Sequence, residues 1–105
     1  MLNKEMIQQA NQLGQTAFFN KNGEPAYCGF AWVEVEVDRT NSKEAKELMA
    51  LGFTKSWKRK TMDFRINQVV GKYGQSMDLK IAGAMEVVEL LKENGIQAYY
   101  GCRAD

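Results

Sequence analysis

The feature that most constrains the fold is a strict alternation of side chains along residues 29–37. Successive side chains of a β-strand point to opposite faces of a sheet, so the alternation separates two sets of residues. One set is apolar and comprises Ala31, Val33, Val35 and Val37. The other is aromatic and acidic and comprises Phe30, Trp32, Glu34 and Glu36. The segment therefore predicts a strand with one buried face and one face whose covering the pattern leaves open.

Apolar residues at helical spacing predict three helices around this strand. The first covers residues 3–18 near the N-terminus. Ser42 is a suitable N-cap for a second helix that runs through Leu51, and Ser76 is suitable for a third that ends near Asn94. A glycine follows each of the last two helices and suits the left-handed position that commonly ends a helix.

Three further strands complete the pattern. Aromatic and β-branched residues favour strands at 53–58 and 61–68, joined near Arg59 and Lys60, and a last strand covers 96–102. After the first helix the order of elements is β-α-β-β-α-β. It predicts an α+β fold in which an N-terminal helix precedes a ferredoxin-like domain with one antiparallel sheet, whose first and third strands are central.

The chain has 105 residues, which predicts a single domain, 1–105. The two crossover helices would take one face of the sheet. The other face must be covered by the N-terminal helix, by a second subunit or by a ligand. The helix at 1–20 would pack on the α+β core at 28–105 or be swapped between two such cores.

Charge and composition exclude several classes of protein. The 14 basic and 13 acidic residues give a formal net charge of +1, so no overall field attracts nucleic acid or an anionic membrane. No apolar run reaches the ~18 residues of a membrane-spanning helix. The first residues lack the layout of a signal peptide. We therefore expect a cytoplasmic location and no membrane partner.

The chain contains no histidine. This removes the commonest general base, the usual partner of a Ser or Cys nucleophile and the commonest zinc ligand. The two cysteines, Cys28 and Cys102, are too few for a disulfide framework or a structural zinc site, and each is expected to be a buried small hydrophobe. We therefore expect neither an enzyme, nor a metal site, nor another cofactor.

The segment 71–76 combines a lysine, two glycines and a capping hydroxyl in front of the third helix. It lacks the spacing of a P-loop. Backbone N–H groups at a helix N-terminus attract phosphate or carboxylate groups, although many capped helices carry the same residues for structural reasons alone. Lys80 and Arg103 could add positive charge. The sequence leaves open whether Arg103 lies near this turn within one subunit or only with a second one.

A second basic region surrounds Trp57 in the predicted hairpin and comprises Lys55, Lys58, Arg59 and Lys60. Such a cluster can hold single-stranded nucleic acid, or it can be a solvated hairpin tip whose charges deter edge pairing.

The aromatic face of the first strand also has two interpretations. Phe30 and Trp32, joined by Phe64 from the third strand, could stack bases as in RNA-recognition folds. Glu34 and Glu36 on that face would repel phosphates, which favours packing under the N-terminal helix or at a dimer interface.

Two motifs resemble a family of small, uncharacterised proteins encoded by tailed phages and prophages. The first motif is Cys28-Gly29-Phe30-Ala31-Trp32-Val33, and the second block includes Gly74-Gln75-Ser76-Met77, Lys80, Gly95-Ile96-Gln97-Ala98 and the terminal Arg103-x-Asp105. The similarity covers most of residues 28–105. The segment 56–60 differs, because members of the family are richer in glycine and tyrosine there.

The resemblance implies a viral protein that acts in the host cytoplasm against host defence. The leading hypothesis is a non-catalytic, homodimeric protein that sequesters a small anionic, nucleotide-like ligand. The residues predicted to bind it are Trp32, Gly74, Gln75, Ser76, Lys80, Tyr99 and Arg103. The alternatives are an inhibitor that binds a host protein through its sheet face or basic hairpin, and a weak binder of single-stranded nucleic acid.

Overall fold

A computed structural model describes residues 2–23, 28–67, 69 and 76–104. In this part of the chain it contains three helices and one four-stranded sheet, in the order α1 (Lys4–Asn22), β1 (Gly29–Glu36), α2 (Lys43–Ala50), β2 (Thr54–Lys55), β3 (Thr61–Arg65), α3 (Met77–Glu93) and β4 (Tyr99–Ala104). The loop predicted at 71–75 lies outside the described residues. No described helix has the length and apolar character required to cross a membrane.

The sheet is antiparallel throughout, with the strand order β2-β3-β1-β4. The predicted β-α-β-β-α-β order after the first helix is confirmed, and β1 and β3 occupy the centre. The alternation along β1 is also confirmed, since Ala31, Val33 and Val35 are buried while the residues between them are partly or fully exposed. The molecule is therefore a mixed α/β protein built on one sheet.

The edge strands are shorter than predicted or displaced along the chain, because backbone groups near their ends bond elsewhere. The N–H of Phe53 donates to the carbonyl oxygen of Leu48 and closes the end of α2, so β2 cannot begin there. In the same way the N–H of Ile96 donates to the carbonyl oxygen of Leu91, so the strand cannot begin there; β4 starts at Tyr99.

The predicted helix caps are confirmed. The Ser42 hydroxyl accepts a hydrogen bond from the N–H of Ala45, and the Ser76 hydroxyl accepts one from the N–H of Leu79, each over 3.2 Å. These bonds satisfy backbone donors that the first helical turn leaves without an intrahelical partner. Gly95 follows α3 with φ of 79°, a left-handed conformation that glycine adopts without strain.

Helix α1 packs beside α3 on the buried face of the sheet. Its Ile7 and Ala10 belong to the same apolar core as Val33 of β1. Close approach requires a glycine, because a Cβ atom at Gly83 of α3 would overlap the side chain of Asn11. The N-terminal helix therefore joins the helical layer and does not cover the opposite face of the sheet.

That opposite face, here called the open face, carries the even-numbered residues of β1 and the residues that pair with them. The expectation that Phe64 joins Phe30 and Trp32 there is wrong. Phe64 pairs with Val33, so its side chain points to the helices, where its ring lies 5.6 Å from that of Phe53. Strand register alone decides this, because a shift of one residue exchanges the two faces.

The prediction that both cysteines are buried is also wrong. Cys28 and Cys102 are free thiols with exposed side chains. Cys28 precedes β1 and forms an isolated bridge with Ser76, and Cys102 lies on the edge strand β4, five of whose six residues are exposed.

Candidate functional site

Two cationic side chains converge on one aromatic ring at the beginning of β1. The Lys80 ammonium nitrogen lies 5.3 Å from the centroid of the Phe30 ring, and the Arg103 guanidinium carbon lies 5.4 Å from it. Distances of this size permit a cation–π attraction. Phe30 and Arg103 are both exposed, whereas Lys80 is only 6% exposed. These three residues are called the cationic cluster below.

The pairing of β1 brings the two cations together within one chain. Arg103 pairs with Phe30 across the β1–β4 ladder. On the other side, Ser76 forms a bridge with Cys28, which places the start of α3 beside the start of β1. Lys80 lies one helical turn further on. Arg103 therefore lies near the N-terminal end of α3 within one chain, without a second subunit.

Lys80 extends from the helical layer to the backbone of β1. Its Nζ donates a hydrogen bond to the carbonyl oxygen of Gly29 over 3.1 Å. The carbonyl oxygen of Ala31, two residues on and therefore on the same side of the strand, accepts from the N–H of Ile66 just after β3. Lys80 thus supplies the donor where the ladder with β3 has ended.

The cationic cluster lacks a carboxylate partner in the described part of the chain. The ion pair found there joins Lys58 to Glu34, and neither Lys80 nor Arg103 forms one. An ammonium group removed from water without a counter-charge is costly. One bond to Gly29 uses only one of the three donors of Lys80. The cluster is therefore suited to an anion.

Trp32 provides a flat aromatic surface next to this cluster. A Cβ atom on Gly101 would lie 2.6–2.7 Å from three atoms of the indole ring, so the ring rests directly on the β4 backbone. The indole Nε1 donates to the Glu34 carboxylate over 2.8 Å, which fixes the orientation of the ring within its plane. Trp32 remains partly exposed, and a planar group could stack on its outer side.

The opposite end of the open face is acidic. Glu34 pairs directly with Asp63 of β3 and accepts from Lys58 at 3.1 Å. Asp63 is 8% exposed, and its Oδ1 has no hydrogen-bond partner in the described part of the chain. Burial raises the pKa of the Asp63 carboxyl, and the negative charge of Glu34 raises it further. The Ser56 hydroxyl and two nearby cations, Arg65 and Lys58, oppose this rise. The open face thus carries Lys80 and Arg103 at one end and the carboxyl groups of Glu34 and Asp63, with Lys58 paired to Glu34, at the other.

The predicted ligand-binding residues separate into distinct groups. Lys80 and Arg103 lie together, and Trp32 is beside them. Tyr99 is 54% exposed but pairs with Glu34, roughly 13 Å along β4 from Arg103, so it belongs to the acidic end. The Ser76 hydroxyl is buried and occupied by its cap. Gly74 and Gln75 lie outside the described residues.

Sequence reasoning considered Phe30 only as a base-stacking ring beside Trp32 and left it out of the predicted anion site. The alternation placed it on the same face as Trp32, but the two cations reach it from a different strand and from a helix far along the chain. Local spacing carries no information about such contacts. An aromatic residue at the start of the central strand was the only signal in the sequence.

The basic region around Trp57 carries less unpaired positive charge than its number of basic residues suggested. Lys58 is already neutralised by Glu34, and its Nζ lies 6.0 Å from the centroid of the Trp57 ring. Trp57 itself is 85% exposed. The hairpin tip is therefore an exposed aromatic side chain with adjacent positive charge.

Comparisons with protein-family models, with curated proteins and with solved structures give no significant match. Within the described residues, no group of three or more His, Cys, Asp or Glu side chains is placed to hold a metal ion.

Proposed function

We propose that this protein is a non-catalytic binding protein that holds a small anionic, nucleotide-like ligand on the open face of its sheet. The observation that carries the proposal is the convergence of Lys80 and Arg103 on the Phe30 ring without a carboxylate partner in the described part of the chain. The phosphate of the ligand would meet these two cations, and its base would stack on Trp32.

The spacing along β1 supports this arrangement. Phe30 and Trp32 are two positions apart on one strand and point to the same face, so they lie roughly 7 Å apart. A phosphate and the base of one nucleotide are separated by a similar distance. The flexible Arg103 side chain can move to meet the phosphate if the match is not perfect. Since Trp32 is held by Gly101 and Glu34, stacking on it would order few additional groups.

The acidic end of the face favours a short ligand. A strand of nucleic acid that continued from the cationic cluster towards β3 would bring its next phosphates to Glu34 and Asp63. These carboxyl groups give the next phosphates no free cation, because Lys58 is already paired with Glu34. A mononucleotide or a compact cyclic dinucleotide needs no contact there, which ranks single-stranded nucleic acid below a small ligand.

The same proposal includes a ferredoxin-like fold for residues 28–104, supported by the element order and by the central position of β1 and β3. It also includes a phage setting, supported by the motif resemblance, in which removing a nucleotide signal from the host cytoplasm would counter host defence. The absence of histidine from the sequence supports a binding role over catalysis.

Isothermal titration calorimetry tests the proposal. The probes are nucleoside monophosphates, cyclic dinucleotides and the corresponding nucleosides without phosphate. We expect binding of at least one phosphorylated probe, loss of most affinity without phosphate, and a decrease of about tenfold or more in Lys80→Gln and Arg103→Gln. Lys92→Gln, an exposed lysine at the other end of α3, is the matched control.

A folded protein that binds none of these probes would overturn the proposal. Binding of oligonucleotides with an affinity that falls steeply with salt, and that exceeds the affinity for mononucleotides, would instead identify single-stranded nucleic acid as the ligand.

A further inference from the structure

The exposure of Trp57 is unusual for a monomeric protein. Tryptophan is on average a largely buried residue and is enriched at the energetic centres of protein interfaces, yet Trp57 is 85% exposed. It projects from the hairpin tip, defined here as residues 56–60. Since Lys58 is held by Glu34, the remaining cations of the tip are Arg59 and Lys60, which form no ion pair in the described part of the chain.

The molecule also has an apolar groove with an acidic edge. The groove, here called the α2 groove, lies between α2 and the turn that joins α3 to β4, and it encloses about 740 Å³. Its floor and walls are formed mainly by apolar side chains, namely Val35, Val37, Leu48, Leu51 and Ile96. Glu44 and Glu47 of α2 line it as well, whereas Lys43 and Lys46 of the same helix do not.

Groove and hairpin tip complement each other in size, polarity and charge. A volume of this size is in the ~300–1,000 Å³ range of sites that bury a small organic molecule, and an indole side chain is smaller than that. The tip offers one large aromatic ring with adjacent positive charge. The groove offers an apolar interior with two carboxylates on its edge.

Both features lie at the same end of the molecule. Val37 lines the α2 groove, and its backbone N–H donates to the carbonyl oxygen of Lys60 in the hairpin tip over 2.9 Å. A two-fold axis at this end could bring each tip to the groove of the other copy, so that both contacts form in one closed interface. The cationic cluster lies at the opposite end of β1 and stays uncovered.

We propose that the protein forms a two-fold dimer in which Trp57 of each copy inserts into the α2 groove of the other. Arg59 meets Glu44 and Glu47 at the edge of the groove. This interface is independent of the ligand site, so the two proposals can fail separately.

Sedimentation velocity over a range of protein concentrations tests the dimer. We expect a reversible monomer–dimer equilibrium in the unmodified chain. Trp57→Ala should weaken it by about tenfold or more, since buried tryptophan anchors commonly contribute that much. Leu13→Ala, which truncates another exposed apolar side chain on α1, should leave the dissociation constant unchanged. Circular dichroism confirms that each variant is folded.

A mixing experiment identifies the two surfaces. The double variant Glu44→Lys with Glu47→Lys reverses the charge at the groove and keeps the tip, whereas Arg59→Glu reverses the charge at the tip and keeps the groove. Each alone should dimerise more weakly than the unmodified chain. A mixture should form a heterodimer, because opposite charges then face each other in both contacts of the two-fold interface.

Three results would overturn the proposal. They are a chain that stays monomeric at the highest concentration measured, a dimer that Trp57→Ala leaves intact, and a mixture that forms no heterodimer. If Trp57 instead binds a different protein, the chain does not associate with itself and stays monomeric, which is the first of these results.

Discussion

Lys80 of α3 donates a hydrogen bond to the carbonyl oxygen of Gly29 on β1, across the boundary between the helical layer and the sheet. The bond holds a lysine that is only 6% exposed with its ammonium group beside the Phe30 ring. Helix α3 therefore delivers a cation to the open face, although the helix itself packs on the other side of the sheet. The proposed ligand site depends on this crossing.

Inorganic phosphate should stabilise the protein by binding beside Lys80 and Arg103. An anion that binds only the folded state raises the free energy of unfolding according to its concentration and affinity. We expect the melting temperature to rise with phosphate concentration. The rise in melting temperature should be much smaller in the double variant Lys80→Gln with Arg103→Gln. In Lys92→Gln it should equal the rise in the unmodified chain. Differential scanning calorimetry at constant ionic strength provides the measurement, and an equal rise in all three proteins would contradict the assignment.

Gly101→Ala should disturb Trp32. The new Cβ atom would lie 2.6–2.7 Å from the indole, so the ring must move away from the β4 backbone. We expect a loss of stability of about 1–3 kcal/mol in urea unfolding, together with a changed tryptophan emission spectrum and weaker nucleotide binding. Cys102→Ala, an exposed neighbour on the same strand, is the control. Unchanged emission and affinity would show that Trp32 is not a rigid stacking surface.

Asp63→Asn should alter how stability depends on pH. The pKa of the folded Asp63 carboxyl is raised above 3.8, so between 3.8 and that higher pKa the folded state holds a proton that the unfolded state has lost. The contribution of this group to the free energy of unfolding therefore falls as pH rises through this interval and stays lower above it. Relative to the unmodified chain, the variant should therefore become more stable as pH rises through this interval.

Urea unfolding of both proteins at several pH values measures this difference. Asp38→Asn, on the exposed segment after β1, serves as the control. A difference between Asp63→Asn and the unmodified chain that stays constant with pH would contradict the raised pKa.

Gly83→Ala should weaken the packing of α1 on α3. Alanine is favoured over glycine in a helix by about 1 kcal/mol, but its Cβ would overlap the Asn11 side chain, which is buried and accepts a 2.6 Å hydrogen bond from Gln15. We expect the overlap to exceed the gain in helix propensity, with a net loss of about 1–3 kcal/mol. Met85→Ala, on the exposed side of α3, should change stability little. A more stable Gly83→Ala variant would show that α1 can move away from α3.

Local patterns predicted much of the fold because they act over a few residues. The Ser42 and Ser76 caps were readable, since a capping hydroxyl bonds an N–H only three residues away. The strand ends were misjudged at Phe53 and Ile96. Their N–H groups bond the last turn of a helix, and sequence reasoning did not anticipate that competition with the sheet.

The candidate site was only partly predictable, because its residues come from segments that lie far apart in the chain. Lys80 and Arg103 were recognised as cations near chain features that suit an anion, and Trp32 as an aromatic side chain that could stack a base. Tyr99 was grouped with them, although the β1–β4 register places it opposite Glu34 at the acidic end. Cross-strand register depends on contacts between distant segments, which a single sequence does not display.

The sequence alone determined the class of secondary structure, the order of the elements, the central position of β1 and the lack of histidine chemistry, because these follow from side-chain periodicity and composition. The tertiary structure decided which face α1 covers, which side chains share the open face and how Lys80 and Arg103 come to one ring. Those outcomes depend on strand register and on close approaches such as Gly83 to Asn11 and Gly101 to Trp32, where steric fit between segments far apart in the chain selects one arrangement.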